Sequence, residues 1–322
     1  MQKYKFAKSI QTDIEALSKL DNWHCIAALL EDYFFIFTSI IVTHNITFYF
    51  YPLAVFIIGA RQRALATLLH EAAHGILAKN RHLNFVIGTF FSGYLIFQNF
   101  TSYKNSHLLL HHGHFGNPML DPDYLSHINQ GLYDKIPPKT FFIKNIIMPF
   151  FLIKTPSYLK FLMQYRILDR NRITLEGYLM FVYLLIIVIV LCSINLNFWK
   201  IIGLFWLIPY LTSFQIIGWF IELSEHYPLM QCSDIDLYMT RNRKNNVLEF
   251  FLSCIHNEQY HLDHHLNTKT PFWNLPKAHK IRLQDDNYVK VNESTGGIFI
   301  PSKKSPSILQ YLCQEQSVKG EG

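Results

Sequence analysis

Between Leu175 and Ile194 the chain runs for twenty residues with Glu176 as its only charge, and no soluble fold easily hides such a run. About 20 apolar residues are what a helix needs to cross the hydrocarbon of a bilayer, where every backbone group must be satisfied within the segment. A second block, roughly Trp199 to Ile221, follows after the turn Asn195–Phe198. Two earlier blocks, Ala27 to Val42 and Ile46 to Ala60, are separated only by Thr43, His44 and Asn45. Glu31 and Asp32 place the start of the first near the membrane interface. The expected fold class is therefore all-α and integral to a membrane, with about four transmembrane helices in two hairpins. Composition agrees, since half of the 322 residues are hydrophobic and only 16% are charged.

The tight turns lack Lys and Arg, whereas the stretch between the hairpins carries Arg61, Arg63, Lys79, Arg81, Lys104, Lys135, Lys139, Arg166, Arg170 and Arg172. An excess of positive charge marks the cytoplasmic side, so both termini and the segments outside the hairpins are expected there, as a helical cap. The runs Phe85 to Phe100 and Thr140 to Leu162 are interrupted by Gly88, Gly93, Pro149, Lys144 and Lys154 and read as interfacial or half-buried helices. Met1 to Leu20 has no removable-signal pattern and reads as an amphipathic lead-in. Residues 1–302 are expected to form one membrane domain, followed by a polar tail, 303–322. Five scattered cysteines form no metal or disulfide pattern. The formal charge of +6 is not gathered into a tract, so no nucleic-acid partner is expected.

The histidines are concentrated on the expected cap. His70-Glu71-Ala72-Ala73-His74, just beyond Arg61 and Arg63 on an expected helical continuation of the second span, places two imidazoles one helical turn apart. His107-Leu108-Leu109-Leu110-His111-His112 follows, with His114, Asp121 and Asp123 close behind, and then His261-Leu262-Asp263-His264-His265. With 16 His in 322 residues, a triple at fixed spacing arises by chance only about 0.04 times per chain. His226 stands just beyond the fourth span. About nine imidazoles brought together without a metal would cost ~1–3 kcal/mol for each buried ring left unpaired, rivalling the whole stability of a domain. One zinc needs at most four ligands, so the count suits two ions with open positions. An all-imidazole shell favours oxygen chemistry at iron over hydrolysis. Glu71, Asp121, Asp123, Asp263 and Asn257 are candidates to accept the outer N–H of a ligating ring.

In HEAAHG, HLLLHHGHFGNPMLDPDY and NEQYHLDHHLNTKTPFWNLPKAH, in that order, the sequence resembles the membrane fatty acid desaturase superfamily, which includes hydroxylases and carotenoid ketolases. The resemblance covers roughly His70 to His279. It implies two irons held by His70, His74, His107, His111, His112, His226, His261, His264 and His265, with His114 a further candidate, so that either His112 or His114 is the ligand. It also implies O2 as co-substrate, a lipid or acyl substrate, and electrons from a separate ferredoxin or small cytochrome. Where some relatives carry an asparagine one turn before the fourth-span histidine, this chain has Glu222. Desaturation is the leading expectation, with hydroxylation or ketolation by the same centre as the alternative. The expected setting is a bacterial inner membrane or the endoplasmic reticulum, with the active site on the cytoplasmic side. A zinc protease reading of H-E-x-x-H, with Glu71 as base and a third ligand from Asn117–Asp121, leaves the two later boxes unexplained. A non-enzymatic metal carrier would need polar groups along a path through the spans, whereas these histidines gather outside the spans on one side.

Overall fold

The computed structural model describes residues 1–169, 172–244 and 246–320, the last five by backbone alone. Arg170, counted above among the basic residues, and Glu321 and Gly322 of the tail lie outside the described residues. Those described form helices and no strand, with only two isolated bridges. The principal elements are α1 (Lys8–Ala16), α2 (His24–Ile41), α3 (Tyr51–His74), a π-helix (Asn105–His112), α4 (Pro122–Asn129), α5 (Leu175–Ile194), α6 (Ser213–His226), α7 (Val247–Ser253), α8 (His261–Leu266), α9 (Leu275–Arg282) and α10 (Ile308–Gly320).

Four helical stretches among the described residues are long and apolar enough to cross a membrane: His24–Ile46, Phe48–His74, Leu175–Ile194 and Phe198–Gln231. They correspond to the four apolar blocks, but two run further than hydropathy suggests. The second continues through Arg61 and Arg63 to His74 and so carries the first histidine box as part of the same helix. The fourth includes a π-turn, Gly203–Leu207, and a break at Thr212 before α6. The other two apolar runs are broken: the first passes into π and 3-10 turns after Gly88, and the second stops where Leu152 adopts φ 63°.

The chain gathers into two compact units. One comprises Leu20–Leu108 and Thr155–Gly218. Its core is α3, which lies close enough to the fourth stretch that a Cβ added to Gly59 would stand 2.7 Å from the backbone nitrogen of Phe214. Ser213 Oγ donates to the Val55 carbonyl, Tyr51 to Leu204 and Gln62 to Trp206. Arg61 on α3 meets Glu31 at 2.8 Å and the fully buried Asp32 at 3.2 Å on α2. That ion pair explains how α2 carries two acids in an apolar run: they are neutralised across the hairpin, and the guanidinium also lies 4.0 Å from the Phe35 ring.

The other unit comprises Met1–Lys19, Leu109–Lys154 and Trp219–Gly322. Here the N-terminus is a structural part. Gln2 bridges to Ile235, Tyr4 N–H donates to Asp236 at 2.8 Å, and Ile10 and Ile14 of α1 pack on Ala278 of α9. Glu249 on α7 accepts the backbone N–H groups of Ile298, Phe299 and Ile300, which fixes the loop before the last helix. The polar composition after Lys303 conceals α10, whose Ile308, Leu309 and Leu312 are buried.

Candidate metal centre

In the first unit, His70 and His74 occupy the last turn of α3, which Gly75 ends in the left-handed conformation, φ 74°. Their ring centroids are 4.8 Å apart, and His107 lies 4.6 Å from the ring of His70 and 5.3 Å from that of His74. One nitrogen from each of the three falls within 4.8 Å of the others. The buried Glu71 turns back to His70, with Oε1 at 3.4 Å from Nδ1.

The different spacings of the second and third boxes have a geometric cause. On α8 each residue advances by ~100°, so His264 and His265 lie about 60° to one side and 40° to the other of His261. In the second box five such steps would throw His112 about 140° away from His107. The segment is instead a π-helix, turning by roughly 80° per residue, which brings His111 and His112 to within about 40° on either side of His107. H-x-x-H-H therefore suits an α-helix, and H-x-x-x-H-H a π-helix.

In the second unit six imidazoles converge. His261 Nε2 lies 3.0 Å from His226 Nε2 and 3.1 Å from His265 Nε2, and His264 Nε2 lies 3.2 Å from His112 Nε2. A nitrogen each from His111, His226 and His265 lies within 4.8 Å of the others. Two ligands at right angles on one ion, each ~2.1 Å from it, are ~3.0 Å apart, a spacing that these Nε2 separations match. Hydrogen bonding alone explains them poorly, because His261 Nε2 carries at most one proton and faces two other ring nitrogens. The donor set fits a transition metal such as iron.

The surrounding charges prepare the rings. His111 Nδ1 lies 2.9 Å from Asp121 and 3.3 Å from Asp123. Burial disfavours its charged form, but these carboxylates outweigh burial and hold its pKa up at about 9. The same pairing fixes the Nδ1–H and leaves Nε2 to face inward. His265 is pushed the other way, well below the usual range, by burial and then by the neighbouring imidazoles, so its lone pair is available. Asp121 also caps α4, accepting from the N–H groups of Asp123 and Tyr124. With its carboxylate so engaged, it offers little to the third-ligand role of the protease reading.

Other expected residues fall elsewhere. His114 is exposed, unlike the buried His111. Asp263 does not address a ring of its own box. Its carboxylate engages Arg282, Tyr288 (2.6 Å), Asn242 (2.8 Å) and His279 (3.3 Å), holding α8 in place. Burial opposes ionisation of Asp263, yet Arg282 and His279 keep its pKa below the usual carboxylate value. Asn257 donates to the Phe272 carbonyl at 3.1 Å, and its side chain supports a turn rather than an imidazole. Glu222 is half-buried on α6, one turn before His226, and its charge reaches His111. Sequence reasoning passed over Glu225, Arg243, Arg282 and Tyr288, none of which has a diagnostic spacing.

Comparison with known proteins follows the same line. The profile of the family described as fatty acid desaturase matches residues 46–294. The dihydrorhizobitoxine desaturase of Bradyrhizobium elkanii is 40% identical over 316 residues, covering 96% of this chain and 89% of that protein.

Proposed function

Since the chain belongs to the fatty acid desaturase family, we propose that it is a di-iron desaturase in which His70, His74, His107, His111, His112, His226, His261, His264 and His265 hold two iron ions. The observation that carries this is the convergence of His226, His261 and His265 through Nε2 atoms 3.0 and 3.1 Å apart. Iron, when bound and reduced, supplies the O2 activation needed to take hydrogen from an unactivated carbon. The chain's own residues do the rest. Asp121 and Asp123 hold the outer nitrogen of His111, Asp263 anchors the helix of the third box, and Glu71 supports His70. His114, being exposed, leaves the ligand place to His112.

The substrate is the acyl chain of a lipid or a lipid-like molecule, and the relative's name adds dihydrorhizobitoxine as a specific compound to test. The four apolar helices cross the membrane as two hairpins with the histidines on the cytoplasmic side, a reading supported by the distribution of Lys and Arg. Electrons come from a separate ferredoxin or small cytochrome.

The test is expression in a host of simple lipid composition, with added dihydrorhizobitoxine in a parallel culture, against a His264→Ala strain. Products lighter by two hydrogens, together with iron in the purified wild type, are expected, and the variant should lose both. Products that instead gain one oxygen atom would make the chain a hydroxylase, and full activity in the variant would refute the assignment.

A further inference from the structure

Glu225, immediately before His226 at the end of α6, is 3% exposed. Its Oε2 lies 3.5 Å from Nε2 of His261. An oxygen of Glu225 and one nitrogen each of His226 and His261 all fall within 4.8 Å of one another. The other oxygen, Oε1, lies 3.2 Å from Nη2 of Arg243, whose side chain is wholly buried. Both ends of the pair are fastened. The Glu225 carbonyl accepts from Thr240 Oγ1 at 2.9 Å and from the Arg241 N–H at 3.2 Å, and the Arg243 N–H donates to the Gln259 carbonyl just before α8.

The carboxylates around this centre differ in which ring nitrogen they address. Asp121 and Asp123 face Nδ1 of His111, the outer nitrogen, and a carboxylate in that position orients a ligand. Glu225 faces Nε2 of His261, the nitrogen that already lies 3.0 Å from His226 Nε2 and 3.1 Å from His265 Nε2. An oxygen gathered with the ring nitrogens of His226 and His261 occupies the place of a ligand. We infer that Glu225 is an anionic donor to the ion held by His226, His261 and His265, and that Arg243 keeps its far oxygen in place. The inference rests on the reading of the site as an iron centre. It makes the two ions unequal: this one has a carboxylate beside its imidazoles.

Glu225→Gln alone would leave Arg243 buried beside a neutral amide and invites misfolding, so the decisive variant is Glu225→Gln with Arg243→Gln, which removes both charges together. Full-length protein is loaded with the Mössbauer-active isotope of iron, and bound iron, resistance to a ferrous chelator and the Mössbauer spectrum are measured. The double variant should keep the wild-type circular dichroism while half of its spectral area changes in quadrupole splitting, and that half of the iron should be lost to chelator about 10–100-fold more readily. A wild-type spectrum and chelator resistance in the double variant would reduce Glu225 to a counter-ion of Arg243 and overturn the inference. If the double variant does not fold, Glu225→Asp decides, because it keeps the charge for Arg243 while withdrawing the oxygen from the ion: a change in half the area supports the inference and an unchanged spectrum overturns it. A wild-type chain that binds no iron would sink the metal-centre reading itself, and this inference with it.

Discussion

At the scale of single residues, the candidate ligands stand out because their spacing is periodic, whereas the groups that support them do not. Asp121 was a candidate from its place near the second box, and it does meet His111. Asp263 was an equal candidate from its place inside the third box, and it turns to Arg282 and Tyr288 instead. Only the fold decides which way an acid points. Asp121→Asn should weaken iron binding by about 10–100-fold, read by chelator titration, with the wild-type circular dichroism retained; unchanged affinity would mean that Asp123 alone orients the ring. His127 on α4 is buried, and its Nδ1 has no hydrogen-bond partner among the described residues. Burial is the main cause that pushes its pKa down to about 4. A folded-state pKa below the unfolded value of about 6.5 gives a contribution that is intact above pH 6.5 and lost as pH falls toward 4, ~3 kcal/mol in all. His127→Gln should therefore flatten the fall of the unfolding midpoint between pH 6.5 and 4, and equal slopes in both proteins would rule the effect out.

At the scale of elements, hydropathy located the spans because apolar length is what a bilayer demands. What it could not show is how Arg61 is tolerated where the second span runs on to His74: it pairs with Glu31 and Asp32 on the facing helix. Nor could it show the π-helix, although the three-leucine spacer of the second box was its trace. An alanine inserted between Leu109 and Leu110 should rotate His111 and His112 by roughly 80° away from His107. Iron content should fall while helicity stays, and retention of full iron would mean that the box does not depend on its register. Gly59 makes a complementary case at a helix crossing. Gly59→Val would press on the backbone of Phe214, costing at least about 1–3 kcal/mol, to be read as a lower unfolding midpoint in detergent.

At the scale of the whole molecule, each of the two compact units is interleaved from segments distant in sequence. The joins depend on particular contacts that no pattern announces. Phe6 is an example: its ring lies 6.3 Å from that of Tyr288 and 5.7 Å from the Arg282 guanidinium, the two groups that hold Asp263. Phe6→Ala should cost about 1–3 kcal/mol and loosen the third box, so that both the unfolding midpoint and iron retention decline. A fall in the first without the second would confine Phe6 to packing.

The clasp between the first residues and the region around Asp236, Ala278 and Tyr288 also sets an order of assembly. Tyr4 and Phe6 are synthesised about 230 and 280 residues ahead of their partners Asp236 and Tyr288, roughly 12–56 s earlier at 5–20 residues per second. For that interval these two residues lack the partners they meet in the folded unit. Closure of the unit that contains the third box is thus a late event, and a bulky group attached near Tyr4 would obstruct it more than its distance from the histidines in the chain suggests.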